Sequence, residues 1–494
     1  MKFKRILSTL LIIAAIAVMA VPAVSAATIK TDDNVSLTVE CGKKNYTFEI
    51  YQVAKLVSTT ESPYETAYKS NVPAISESVL AGDNKAALEE LDKIETLPAA
   101  AKSYGTFDTN ESTEKTFSDL PQGIYYIRAI EYPADVTAFT NSIIALPYYT
   151  AEDGWVYSYD KIDLAEKVVE TPPVTHKEIT NSTKNNVNFT DVSIGDTVNF
   201  KLTQTTTGSK QIKLTAYTVY DEQSKGLTLN KESFKVYLAD ADGKKIEDIK
   251  DYNVNVTSEK SGEQTDFNVA LSKDYLAKDN FYEANVKNVV IEYSAVLNKY
   301  AVIGSVGNPN EDVKLEYGNR SKKDSVPGNT VYVYTYAVGV DKLDENGKKL
   351  AGATFELYKT EADANGKKNA IATGTSDSNG KVAFMTEGTE IKLQSGTYYI
   401  AETAAPSGYN LYGKVITVNI DATYLETIAN GTYVDHCPAE GKASVTVTDT
   451  KVFLPKTGGR VEIVYAVGGA LLLLSGVALF FLKRSKKKAE ENDK

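Results

Sequence analysis

The sequence predicts a mainly β protein made of tandem β-sandwich domains, and three observations lead there. Short runs alternate apolar and polar residues, as in "VSLTVE" (35–40), "VYVYTYAVGV" (331–340) and "KASVTVTD" (442–449). A period of two sends successive side chains to opposite faces of a strand. Gly, Asn and Asp punctuate the runs, which is the turn chemistry of hairpins. Tyrosine is abundant, with 32 copies against one tryptophan, and aromatic residues fit strands well.

The two ends are set apart from this pattern. Lys2, Lys4 and Arg5 precede an apolar stretch from Leu10 to Val21, and Ser25-Ala26 offer a small-residue cut site. Residues 1–26 therefore read as a secretory signal peptide, outside the fold. At the other end Val461 to Leu482 is apolar and long enough to cross a bilayer as a helix. The basic "KRSKKK" after it would stay in the cytoplasm. Directly before the helix stand Leu454, Pro455, Lys456, Thr457 and Gly458. This stretch, with its helix and basic tail, resembles the LPxTG signal read by sortases. The resemblance implies cleavage between Thr457 and Gly458 by a cysteine transpeptidase. The Thr457 carbonyl would then pass to an amine. Residues 453–494 are thus a sorting signal, and the helix 461–482 is a temporary tether.

About 430 residues remain between the cut sites, which suggests about three domains. "ETPPVTHK" (170–177) and "SVPGNT" (325–330) are the clearest breaks. They give domains at 27–168, 169–327 and 328–452. The chain carries a net charge of −11, and both removed ends are net positive, so the mature piece is more acidic still. Such a surface does not favour nucleic acid. Cys41 and Cys437 are too few for a disulfide framework, and they lie near opposite ends of the mature chain. Together with His176 and His436 they show no metal-ligand spacing. GxSxG, HExxH and Walker motifs are absent from the sequence, and no cofactor is expected. A "DENG" loop (344–347) lacks a full calcium ligand set.

The chain resembles itself. "LPQGIYYIRAIEYPA" (120–134) matches "LQSGTYYIAETAAPS" (393–407) in register at Gly123/Gly396, Tyr125/Tyr398, Tyr126/Tyr399, Ile127/Ile400 and Pro133/Pro406. The first and third domains are expected to share a fold. Ala129 then stands opposite Glu402 in the alignment, and Leu37 opposite Lys342. In the third domain Lys342 is in phase with Val338 and Val340, Glu402 with Tyr398 and Ile400, and Asp449 with Val445 and Val447. Three ionisable groups on apolar strand faces predict one buried site, because buried charges are costly unless paired. Buried lysine loses its proton more readily and becomes a nucleophile, while a buried acid keeps its proton. That combination suits an intramolecular isopeptide bond.

"YYIAETAAPSGY" (398–409) resembles the E-box of Cna-B-type domains in Gram-positive pilins, with Ile400 in place of Leu. The resemblance implies that Glu402 promotes a bond between Lys342 and Asp449. Asn is commoner than Asp at the last position. "VSIGDTVNFKLT" (192–203), "AYTVYDEQSKGLTL" (216–229) and "GNPNEDVKLEYGN" (307–319) resemble the Cna-A-like middle domain of major pilins. This implies a second bond from Lys177, promoted by Asp221, to Asn308 or Asn310. The two asparagines share a strand phase, so alternation leaves both open, with Asn308 favoured. The stretch "GWVYSYDKIDLAEKVVETPP" (154–173) is similar to the pilin motif that carries the polymerisation lysine. The similarity implies Lys167 as acceptor, with Lys161 as the alternative. Strand phase puts Ile162 and Leu164 on one face and Lys167 on the outward one.

The sequence is thus identified as resembling the major, shaft pilins of Gram-positive sortase-assembled pili. Its fold would be three immunoglobulin-like sandwiches: Cna-B-like, Cna-A-like and Cna-B-type. Implied partners are a pilus-specific sortase, a housekeeping sortase, other copies of the chain, minor pilins, peptidoglycan, and a host or surface ligand. The implied location is the cell surface, attached to the wall. The implied role is structural rather than enzymatic, apart from single-turnover self-crosslinking. A monomeric wall-anchored adhesin with the same domains and a minor pilin are the alternatives.

Overall fold

The computed structural model describes residues 29–30, 32–59, 66–82, 84–150, 152–260, 262–426, 433–436, 439–452 and 483. The signal peptide, Leu454–Gly458, the 461–482 helix and Cys437 lie outside the described residues. No helix among the described residues is long and apolar enough to cross a membrane. The chain forms two compact units. Among the described residues, the first runs up to Tyr336 and adds Lys392–Ser395 and those of 422–441; the second holds Ala337–Ile391, Gly396–Asp421 and those from Lys442 on. Both are built of strands.

The first unit contains two main cores. In the N-terminal one, strand Val35–Glu40 lies between Ser158–Asp163, parallel to it, and Glu114–Leu120, antiparallel. Its burial alternates residue by residue, so Val35, Leu37 and Val39 point inward. The facing sheet is centred on Thr47–Thr59 and Gly123–Glu131. Two short helices, Glu77–Gly82 and Asn84–Asp92, were not anticipated from the strand pattern. Ala87 and Leu91, four residues apart, bury against a satellite core with Val53, Ala54 and Tyr126.

The middle core lies between two sheets. One has the order Thr175–Ile179, Thr197–Thr205, Asn288–Leu297, Leu227–Ala239, Lys245–Asp248. The other includes Phe189–Asp191, Val331–Tyr334, Asn308–Gly318, Ala216–Gln223, Thr265–Leu271 and Tyr252–Glu259. The Pro-Gly break at 325–330 assigned Val331–Tyr334 to the third domain. Instead this strand pairs with Asn308–Asn310 and lies parallel to Phe189–Asp191, which closes the middle sheet. The boundary therefore falls after Tyr336. Nor do the N-terminal and middle cores separate cleanly at 168: Ala134 packs into the middle core and Ile212 into the N-terminal one. The Asn319 side chain also donates to Pro133 O (2.8 Å).

In the second unit the first and last strands, Ala337–Asp344 and Lys442–Asp449, run side by side and parallel in continuous register. Lys381–Ala383 flanks them. A six-stranded sheet faces them, with Gly396–Ala404 between Thr354–Tyr358 and Ile416–Ile420. The N-terminal region repeats this plan, with its first strand parallel to Ser158–Asp163. Phe48 pairs with Ala129 there, as Phe355 pairs with Glu402 here.

Candidate functional site

Two clusters of buried ionisable groups stand out, one in each unit. In the second unit Lys342, Glu402 and Asp449 are fully buried. The parallel register brings Lys342 beside Val447 and Asp344 beside Asp449, so both Lys342 and Asp449 face the interior from one sheet. Glu402 projects from the facing sheet. Lys342 Nζ lies 2.9 Å from Glu402 Oε1 and touches Asp449 Oδ1. The Phe355 ring sits 5.4 Å away and keeps the site apolar. Burial, with the Asp449 charge nearby, pushes the Glu402 carboxyl above the usual carboxylate range, although Tyr412 N–H donates to it (2.6 Å) and Lys342 opposes the shift. A protonated carboxyl there can polarise a carbonyl.

The middle-domain cluster spans its two sheets. Lys177 comes from the edge strand of one, Asp221 and Asn310 from the other. Lys177 Nζ donates to Asp221 Oδ1 (2.6 Å) and to Asn310 Oδ1. Burial lowers the amine to a pKa of about 8, although Asp221 pulls the other way. Desolvation raises Asp221 in turn. The structure thus contradicts the preference for Asn308. Its side chain accepts from Val302 N (2.7 Å) and donates to Val302 O and Val333 O (3.0 Å each), so it fixes the preceding loop. Both asparagines are buried, as their shared phase required. Register decides between them: the pairing with Ala216–Gln223 ends at Gln223–Asn310, and Asn308 lies beyond that end.

Tyr293 escaped the sequence reading. It is buried on Asn288–Leu297, and its hydroxyl donates to Asp221 Oδ2 (2.7 Å) and accepts from Asn310 Nδ2 (2.8 Å). Its phase with Ile291 and Ala295 was a visible signal, but an in-phase tyrosine looks like ordinary core. In the N-terminal region the aligned positions Leu37 and Ala129 are buried apolar core. Cys41 is also buried there, and burial raises its thiol above the usual range.

The acceptor candidates differ from expectation. The strand ends at Asp163, and Ala165–Lys167 form a 3₁₀ turn, so alternation does not extend to Lys167. Lys167 is half-buried, and its carbonyl accepts from Thr140 N (2.9 Å). Lys161 is exposed but paired with Glu40, with Glu114 at 3.9 Å.

A prealbumin-like fold domain of the SpaA type matches residues 337–432, and the LPXTG cell wall anchor motif matches residues 446–490. These define an exported surface protein attached to the cell wall. Among individual proteins, the trypsin-resistant surface T6 protein of Streptococcus pyogenes serotype M6 is 29% identical over 313 residues. That is 58% of this chain and 53% of the other, so the chain spans about half the length of the curated relative it matches. The full-length RrgB pilus protein of Streptococcus pneumoniae shares the fold. It is 15% identical, with a TM-score of 0.51 over 86% of this chain and 99% of that one. The T6 backbone pilin of serotype M6 Streptococcus pyogenes superposes with a TM-score of 0.49, at 19% identity, over 86% of this chain and 100% of that one.

Proposed function

We propose that this chain is the shaft subunit of a covalently polymerised surface pilus, stiffened by two internal isopeptide bonds. The observation that carries the reading is the pair of buried lysine–acid clusters that join early and late strands of their domains. In the second unit the Lys342 amine attacks Cγ of protonated Asp449, the extra amine proton passes to Glu402 as Glu402 gives its own to the departing hydroxyl, and water leaves. In the middle domain Lys177 attacks Asn310 Cγ with the help of Asp221, and ammonia leaves. Closing a loop of roughly 100 residues contributes about 4.7 kcal/mol by chain-entropy arithmetic. Unlike a disulfide, an amide tie also resists reduction.

Polymerisation uses the other end of the chain. A sortase breaks the Thr457–Gly458 amide, holds the Thr457 acyl group as a thioester and passes it to a lysine of the next copy; the segment from Gly458 departs. Lys167 is the favoured acceptor because Lys161 is held by two carboxylates. The last subunit is transferred to peptidoglycan.

Expression of the chain with a pilus-type sortase should give a ladder of species that survives boiling in detergent. Lys167→Ala should abolish it, and Lys161→Ala should leave it. A single band from the wild type would reject the shaft reading. The recombinant mature chain should weigh one water and one ammonia less than its sequence, and Glu402→Ala should restore the water alone. An unmodified mass in folded protein would reject both bonds.

A further inference from the structure

The geometry points to Tyr293 as a catalytic residue of the middle-domain bond, a proton relay that lets the Asn310 nitrogen leave as ammonia. The inference rests on the proposed Lys177–Asn310 bond and adds a step to it. An amide nitrogen is a poor leaving group until it is protonated. Asp221 touches the Lys177 amine with Oδ1 and the Tyr293 hydroxyl with Oδ2. It is the Tyr293 hydroxyl, not the acid, that meets Asn310 Nδ2 (2.8 Å). One chain of hydrogen bonds therefore runs from the nucleophile through the acid and the phenol to the leaving nitrogen.

The protons balance along that chain. Lys177 and Asp221 begin as neutral amine and neutral acid. The amine attacks Asn310 Cγ, and the new C–N bond leaves an extra proton on Nζ, which passes to Asp221 Oδ1 only as Oδ2 gives up the acid's own proton, so the carboxyl never holds two. In the planar amide, Nδ2 can only donate to the phenol. Once Cγ is tetrahedral, the nitrogen regains a lone pair and the chain reverses. Asp221 gives a proton from Oδ2 to the phenol oxygen, and the phenol gives its own to Nδ2. The Cγ–Nδ2 bond breaks, ammonia departs, and Asp221 and Tyr293 end as they began. The phenol keeps its proton otherwise, because burial pushes its pKa well above the usual tyrosine value. Its ring is held in a stack with Phe200 (5.1 Å between centroids) and Phe234 (5.4 Å), so the hydroxyl is fixed in place.

The second unit supplies the contrast. There the closing residue is an acid, Asp449, whose hydroxyl leaves as water once it takes a proton from Glu402. The ring beside Lys342 is Phe355, which has no hydroxyl. A relay is required where an amide nitrogen must depart and the acid does not reach it.

Intact mass after fresh refolding, read as a time course, tests this. Tyr293→Phe keeps the stacked ring and should slow the loss of ammonia at least tenfold, while the loss of water from the second unit proceeds. The double variant Tyr293→Phe/Asn310→Asp makes water the leaving group and should recover cross-linking, now as a second loss of water. Cross-linking of Tyr293→Phe at the wild-type rate would overturn the relay. So would a double variant as slow as the single one, since the tyrosine would then only support the fold. A wild-type chain without the ammonia loss would instead overturn the bond itself.

Discussion

Lys177 shows how a single residue can be legible in kind and ambiguous in partner. The resemblance implied Lys177 and Asp221 together, and both are buried. Burial lowers the amine to about 8, and this has a testable consequence where the bond cannot form. In Asn310→Ala the amine persists. A lysine whose folded pKa lies below its unfolded one binds fewer protons when folded, so stability rises with pH between about 8 and the ordinary 10.5. Below that window the full cost of burying the charge is present. Urea midpoints of Asn310→Ala should therefore approach those of Lys177→Met/Asn310→Ala as pH is raised from neutral to about 10. A pH-independent gap would show that the amine is not desolvated in the folded state. The choice between Asn308 and Asn310 was beyond residue-level reading, because a period of two cannot separate positions two apart.

At the scale of elements, alternation worked where strands are regular and failed where they stop. Val35–Glu40, Ala337–Asp344 and Lys442–Asp449 follow their sequence pattern, and Lys342 and Asp449 fall inside as it requires. Beyond Asp163 the backbone turns into 3₁₀ geometry, and the expected outward face of Lys167 loses its basis. The internal repeat was legible because both copies keep the same central pairing, Phe48–Ala129 and Phe355–Glu402. Its meaning lies in the difference: buried, apolar Leu37 and Ala129 stand where the other copy has Lys342 and Glu402. Under force the elements should separate accordingly. The N-terminal region should extend, while the segment from Lys177 to Asn310, 133 residues apart in sequence, should stay closed. Single-molecule pulling on Lys177→Ala should release that length. Full extension of the wild-type middle domain would contradict the tie.

At the scale of the whole chain, the proposed function gives the two ends of a subunit separate jobs, donor at Thr457 and acceptor at Lys167. Lys167→Arg should still be joined through Thr457 onto a wild-type neighbour, yet accept nothing itself. In a mixed assembly the tagged variant should appear only as a chain terminus, detectable as progressive shortening of the ladder as its share rises. Incorporation at internal positions would move the acceptor elsewhere. The acidic composition, net −11, fits the proposed shaft subunit, which would stay soluble until it is joined to the next.

What the sequence determined by itself was chemistry and local phase: the sorting motif, the β character, the internal repeat, and the inward direction of Lys342, Glu402 and Asp449. These depend on residue type and on a period that the backbone enforces at short range. Tertiary structure alone decided which strand ends where and what stands opposite it. Register, set by pairing between strands far apart in the chain, selected Asn310 over Asn308, drew Val331–Tyr334 into the middle sheet and placed the Tyr293 hydroxyl between Asp221 and Asn310.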